Sequence, residues 1–260
     1  MRPRTACTTA KSSAIPQRAK GLLAGLVAAA ALGAVLWLAL GSDDGPGCAV
    51  AADAELSLTR PAGCPVLGDS EAAGRVQPTR DEKRPGNATA NRRRPTAAEL
   101  ERFRAANDFV PPEYAARVTG DYAGTTDDII EWSAWKWGID EDVLRAQGMH
   151  ESSWRMRARG DDGQSIGVMQ IKSTVHRGTA PLSGMSTAFN LDYYGAVFRY
   201  YYDGRATWLD REERGQPYRA GDAWGSLGAH YAGRWHTAEA ESYISNVRRL
   251  LAERAWLTWR

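Results

Sequence analysis

The sequence predicts a mainly α-helical domain, preceded by one N-terminal transmembrane or signal helix and a disordered linker. Residues 21–41 are apolar and uncharged, whereas residues 42–97 are rich in Ala, Pro, Gly and Arg and hold few large apolar side chains. Beyond them, apolar residues recur at helical spacing and strand patterns are weak. Hydrophobic residues make up 43% of the chain, which is enough for a packed core.

The N-terminal segment carries the signals of export. Residues 1–20 are basic and contain no acid, so we expect them to stay in the cytoplasm. At about 1.5 Å per residue, residues 21–41 span about 30 Å, the thickness of a bilayer core. Two interpretations stay open: an uncleaved membrane anchor, which the long apolar run favours, and a signal peptide cleaved near Ala39-Leu40-Gly41.

The linker over residues 42–97 is predicted to be a flexible tether, because such a composition cannot bury enough apolar surface to order itself. The formal net charge of the whole chain is +2. Since residues 1–41 hold basic residues and no acid, the rest of the chain is slightly acidic. A nucleic-acid-binding domain normally has a basic surface, so this class is excluded.

The cysteines predict a disulfide and no metal site. Cys48 and Cys64 follow the apolar run and can pair in an oxidising compartment, although two free thiols are the alternative. No CxxC motif or Cys/His cluster is present, so neither a metal nor another cofactor is predicted.

Helix signals are clear along residues 98–260, the predicted domain. Capping residues and glycines mark helix ends, as at Thr125, Gly138 and Asp140. The first predicted helix is a short polar segment, 97–107. The next starts at the capping residues 125–128 and ends at Gly138, and another starts after Asp140 and ends within Met149–Trp154. Two more cover the segments 189–202 and 238–256.

Glu151 is the main candidate catalytic residue. Leu144, Gln147, Gly148 and Glu151 share one helix face, so the carboxyl group points toward the interior or a cleft wall. Burial disfavours the charged form and raises the pKa, which keeps a proton available near neutral pH. The alternative is an ordinary solvated or salt-bridged glutamate. A tight Gly/Asp-rich loop follows, and after it Gln170 offers an amide that can reach a bound sugar.

These residues resemble a known family. The run IIEWSAWKWGIDEDVLRAQGMHESSW and the later SIGVMQI are similar to the catalytic core of the lytic transglycosylases, relatives of goose-type lysozyme. Glu151-Ser152 matches the family's helix-ending pair, and Gly167-Val168-Met169-Gln170 matches its second motif. A helix start at Asn190 matches a further element, with its glycine one place later. The resemblance covers roughly residues 98–260.

One motif departs from the family. Its Ala-Tyr-Asn-Ala-Gly corresponds here to Ala229-His230-Tyr231-Ala232-Gly233. His230 takes the position of the substrate-facing tyrosine, and Tyr231 the next. Either side chain can fill the role, and Tyr231 is the residue that we assign.

The resemblance implies a peptidoglycan lytic transglycosylase with a lysozyme-like helical fold. Glu151 would be the general acid and base, acting on the β-1,4 bond from N-acetylmuramic acid to N-acetylglucosamine and leaving a 1,6-anhydro product. The residues implied to position the substrate are Ser152, Met169, Gln170, Asn190 and Tyr231. The partner would be peptidoglycan, with the domain outside the cytoplasm of a bacterial cell, either membrane-anchored or secreted to the cell wall.

Two other functions stay open. Asp161 and Asp162 lie in the loop that can supply a second carboxylate, which would make the protein a lysozyme-type hydrolase of the same bond. They can equally be a turn-forming pair. A catalytically silent wall-binding module is the third hypothesis. The tryptophans considered as sugar-stacking platforms are Trp154, Trp208, Trp224 and Trp235.

Overall fold

Helices make up most of the regular structure in the computed structural model, which describes residues 59–258. The helices are α1 (Asp69–Ala73), α2 (Ala88–Asn91), α3 (Ala97–Ala106), α4 (Pro112–Ala115), α5 (Thr126–Trp137), α6 (Glu141–Ser152), α7 (Leu182–Met185), α8 (Thr187–Tyr202), α9 (Ala223–Ala232) and α10 (Ala238–Glu253). The strands are β1 (Arg159–Gly160), β2 (Ser165–Ile166) and β3 (Ile171–Lys172). The prediction of a mainly α fold is confirmed.

The boundaries of α5 and α6 follow from their capping residues. The Thr125 side chain accepts from the Asp128 backbone N–H, while Asp128 accepts from the Thr125 backbone, so the pair forms a capping box. Gly138 ends α5 in a left-handed conformation with φ 63°. Asp140 then caps α6 by accepting from two backbone N–H groups. The predicted ends of both helices are confirmed.

The long helix α8 forms the centre of the fold, and every one of its residues is buried. It packs against α5 on one side and α9 on another, while α10 packs against both α6 and α9. Gly195 permits the close approach of α5, because a Cβ at this position would lie 2.1 Å from the Trp137 ring. These contacts bring the C-terminal end of α6 next to α8, α9 and α10.

The predicted linker differs from the structure over residues 59–97, which are folded onto the helices. Asp69 of α1 forms an ion pair with the buried Lys136, at 2.6 Å. Asn87 and Asn91 are buried, at 3% and 2% exposure. Composition failed as a guide because only a few apolar side chains of this segment are buried, and polar side chains such as Asn87 and Asn91 are buried with them, which hydrophobic periodicity does not detect.

Residues 82–91, here called the strap, hold the turn that follows α6. The Asn87 amide donates to the Trp154 carbonyl at 2.6 Å and accepts from the Met156 N–H at 3.0 Å. Arg84 Nε donates to the Ser153 carbonyl at 2.7 Å. Ser153 and Trp154 both have left-handed φ angles, 50° and 60°. The strap therefore fixes a strained turn directly after Glu151.

Several predicted features lie outside the described residues: the basic leader 1–20, the apolar segment 21–41 and Cys48. Cys64 is disulfide-bonded. In residues 59–258, none of the helices has the length and apolar character that crossing a membrane requires.

We expect Asn87→Ala to lower the free energy of unfolding by about 2–3 kcal/mol, because it leaves the buried Trp154 carbonyl and Met156 N–H without partners. The change is measured by urea unfolding of a protein that comprises Asp44–Arg260, which includes all of the described residues. Asn246→Ala, on an exposed position of α10, is the control. Equal stability of the two variants would contradict the role of the strap.

Candidate active site

Glu151 lies in a cleft of about 790 Å³, one residue before the end of α6. Its side chain is 11% exposed, so the carboxyl group reaches the cleft from a largely buried position. The cleft is lined by Phe109, His150, Glu151, Gly160, Asp161, Ser165, Gln170, Lys172, Val175, His176, Tyr201, Trp208, Arg214, Ala229, His230, Tyr231, Ala232, Gly233 and Glu239. The sequence correctly placed Glu151 on an inward or cleft-facing side of its helix.

The pKa of the Glu151 carboxyl group is raised toward neutral pH. Burial raises its pKa from 4.5 to about 7, and the hydrogen bond from Tyr243 opposes this rise. The Tyr243 hydroxyl donates to Oε1 of Glu151. Among residues 59–258, Oε2 has no hydrogen-bond partner, so this oxygen is available to hold the proton.

A buried row of hydrogen bonds fixes the direction of the Tyr243 hydroxyl. Tyr194 of α8 donates to Oε1 of Gln147, and Gln147 Nε2 donates to the Tyr243 oxygen at 3.0 Å. Because Tyr243 accepts from Gln147, its own proton points to Glu151. The sequence placed Gln147 on the face of Glu151 and Tyr243 inward on α10, but gave no signal that the two meet.

Ser152 and Asn190 support the loop over residues 164–172 instead of lining the cleft. The Ser152 hydroxyl donates to the Val168 carbonyl at 2.9 Å. Asn190 accepts from the Met169 N–H at 2.9 Å and donates to the Ile166 carbonyl at 3.0 Å. These contacts differ from the substrate contacts that the resemblance implied.

Met169 and Gly167 are buried parts of the same loop. Met169 has 0% exposure, so its side chain belongs to the core. Gly167 has φ +80°, and a Cβ there would lie 2.5 Å from Nδ2 of Asn190. Gly167 of the motif is therefore needed for the close packing of the loop on α8. Gln170 is the motif residue that lines the cleft, and its amide donates to the Gly167 carbonyl at 2.8 Å.

His230 and Tyr231 both line the cleft, in different ways. The His230 side chain is 6% exposed, and its Nε2 lies 3.9 Å from Oε1 of Glu151. Burial lowers its pKa to about 4, so the ring is neutral at pH 7 and donates from Nε2 to the Met169 carbonyl. Tyr231 is 53% exposed and stacks on Tyr243 with ring centroids 4.7 Å apart.

Of the two aspartates proposed as a second carboxylate, only Asp161 lines the cleft. Asp161 accepts from the Ser165 hydroxyl at 2.8 Å and pairs with Lys172 at 3.1 Å. These contacts lower its pKa, so the group is ionised at neutral pH. Asp162 sits in an exposed turn with φ 53°.

Among the four candidate stacking tryptophans, Trp208 alone lines the cleft. Trp154, Trp224 and Trp235 are core residues with exposures of 0%, 8% and 1%. Sequence reasoning missed Phe109, His176 and Arg214 as cleft residues, because they come from segments outside the recognised motifs. In residues 59–258, no group of three or more His, Cys, Asp or Glu is arranged to hold a metal ion.

The arrangement suits general acid catalysis on an extended substrate. A carboxyl group with a pKa raised to about 7 lines an open cleft, and Tyr243 hydrogen-bonds to one of its oxygens. Searches against family models, curated proteins and solved structures found no match to this chain.

We expect Glu151→Gln to stabilise the protein increasingly as pH rises. The folded state holds the Glu151 proton more tightly than the unfolded chain, so wild type loses stability between about pH 4.5 and pH 7. At 1.36 kcal/mol per pKa unit, the loss reaches roughly 3 kcal/mol above pH 7. Because glutamine cannot ionise, the Glu151→Gln variant does not lose this stability as pH rises.

Urea unfolding at pH values from 4 to 8 measures the difference. Glu101→Gln, the same substitution at an exposed position of α3, controls for the removal of one acidic side chain. A gap between Glu151→Gln and wild type that stays constant with pH would contradict the raised pKa.

Proposed function

We propose that this protein is a peptidoglycan lytic transglycosylase with a lysozyme-like helical domain. The observation that carries the proposal is the largely buried Glu151 carboxyl group in an open cleft, where burial raises its pKa to about 7. The resemblance of the Glu151-Ser152 and Gly167-Val168-Met169-Gln170 segments to that family supports the same substrate. Gln170 and Tyr231 line the cleft and are the polar groups available to the sugar.

In the first step, Oε2 of Glu151 donates its proton to the glycosidic oxygen between N-acetylmuramic acid and N-acetylglucosamine. The bond from C1 to this oxygen breaks, and N-acetylglucosamine leaves with a free 4-hydroxyl group. The muramyl ring is left with oxocarbenium character, next to the new Glu151 carboxylate. The hydrogen bond from Tyr243 favours this charged form, which eases proton release.

In the second step, the Glu151 carboxylate takes the proton of the muramyl C6 hydroxyl group. The C6 oxygen bonds to C1, which closes the 1,6-anhydro ring, and Glu151 is again protonated. One carboxyl group thus serves as acid and then as base, and steps of this kind contribute about 10²–10⁴-fold each.

The alternative is hydrolysis of the same bond, which the position of Asp161 favours. This ionised carboxylate lines the same cleft as Glu151 and can act as a base toward water. Its ion pair with Lys172 weakens its basicity, which supports the transglycosylase over the hydrolase.

The proposed location is outside the cytoplasm of a bacterial cell, attached to the membrane by residues 21–41 or released to the cell wall. The disulfide at Cys64 supports an oxidising compartment, because cytosolic thiols are normally kept reduced. Peptidoglycan glycan strands are the proposed partner.

Digestion of peptidoglycan by the unit Asp44–Arg260, followed by mass spectrometry, tests the proposal. We expect 1,6-anhydro-muropeptides from wild type and from the control Glu101→Gln. Glu151→Gln should lower their rate of formation at least about 10²-fold, because glutamine cannot donate the proton. Wall binding without any product from wild type would instead indicate a silent binding module.

Asp161→Asn distinguishes the two chemistries. Under transglycosylation we expect the anhydro products and their rate to change less than about threefold, since that mechanism needs one carboxyl group, whereas loss of a catalytic base costs about 10²-fold or more. The ratio of anhydro to reducing ends is read from the same spectra. Reducing-end products that disappear in Asp161→Asn would establish hydrolysis through Asp161.

A further inference from the structure

The cleft contains two permanent cations, and they differ in their surroundings. Lys172 is paired with Asp161, whose carboxylate lies 3.1 Å away. Arg214 lines the same cleft, yet it has no carboxylate partner within residues 59–258. A guanidinium group in a partly enclosed site normally gains from pairing with an anion, so the charge of Arg214 is open to a ligand.

Contacts on two sides hold the Arg214 guanidinium in place. It lies over the Trp208 ring, 5.1 Å from the centroid, in a cation–π contact. Nη1 donates to the Gly233 carbonyl at 3.2 Å, directly after α9. Nε is buried and has no hydrogen-bond partner in the described part of the chain. The group is therefore oriented, and the remaining N–H donors of Nη1 and Nη2, rather than the buried Nε, are left for a ligand.

A row of uncharged rings connects Arg214 to Glu151 along the cleft. Trp208 contacts Phe109, with centroids 6.5 Å apart, and Phe109 contacts His176, at 4.2 Å. His176 lies 6.4 Å from His230, which adjoins Glu151. Burial lowers the pKa of both histidines, to about 3 and about 4, so neither carries a charge at pH 7. A bound strand would thus meet rings between the acid and the guanidinium.

We infer that Arg214, seated on Trp208, forms a subsite for a carboxylate group carried by the glycan strand. The inference rests on the proposed function, because the strand must lie in the cleft of Glu151. Two carboxylates of peptidoglycan share this chemistry: the lactyl carboxylate of a muramyl residue without peptide, and a carboxylate of an attached peptide. A guanidinium fork binds either one in a bidentate manner.

Binding measurements with three ligands test the subsite. The full chain carrying Glu151→Gln, which prevents turnover, is titrated with a chitin oligomer, a peptide-free strand and a peptide-bearing strand. The first has no carboxylate, the second has free lactyl groups, and the third has peptide carboxylates with its lactyl groups blocked. Adding Arg214→Gln should raise Kd about tenfold or more for a carboxylate-bearing strand and leave chitin unchanged.

Two further variants separate recognition from structure. Arg234→Gln removes the same charge from an exposed position one residue past Gly233, outside the cleft lining, and should leave all three Kd values unchanged. Arg214→Lys keeps the charge without the fork and should recover part of the lost affinity. Thermal unfolding of each variant reports whether the helix end at Gly233 has been disturbed.

Each outcome decides the matter. If Arg214→Gln loses affinity only for the peptide-free strand, the lactyl carboxylate is the ligand of Arg214. If it loses affinity only for the peptide-bearing strand, the ligand is a peptide carboxylate. Equal losses on all three ligands, or no loss on any, overturn the subsite while leaving the proposed function intact. If the Glu151→Gln parent binds none of the ligands, the proposed function and the subsite both fail.

Discussion

Burial of one carboxyl group is the constraint on which the site depends. Glu151 is kept in a poorly solvated position at the end of α6, where the neutral acid is favoured over the anion. The anion must nevertheless be accessible if the group is to release a proton. Tyr243 stabilises the anion with a hydrogen bond, and the direction of that bond is fixed by Gln147 and Tyr194. Helices α6, α8 and α10 must therefore meet at one place, and the packing around α8 achieves this.

The turn after Glu151 adds a second requirement. Ser153 and Trp154 are left-handed, a conformation that costs an ordinary residue roughly 1–2 kcal/mol. The strap offsets this cost with hydrogen bonds from Asn87 and Arg84 to the same turn. The segment before residue 97 is consequently part of the site, and a protein trimmed to the predicted domain at residue 98 would lose it.

Sequence patterns predicted the fold where capping and periodicity agree, as in α5 and α6. They missed α9, because Gly225 and Gly228 interrupt its helical signal. Packing requires the first of them, because a Cβ at Gly225 would lie 2.4 Å from the Trp235 ring. The strap was missed for a different reason, since Asn87 is a polar residue whose burial depends on partners distant in sequence. Tertiary contacts therefore determine the structure of both α9 and the strap, which local sequence patterns do not reveal.

At the site, the sequence predicted that Glu151 points toward the interior or a cleft wall, but not the directions of its neighbours. Consecutive helix residues point about 100° apart, so His230 turns inward to Glu151 while Tyr231 stacks at the cleft surface. A protonated imidazole beside Glu151 would lower the pKa of the carboxyl group and so cancel the rise that burial causes. His230 avoids this because it is itself buried, which keeps it neutral until about pH 4. His230 is thus compatible with a protonated Glu151 beside it, since it donates a hydrogen bond without contributing a charge.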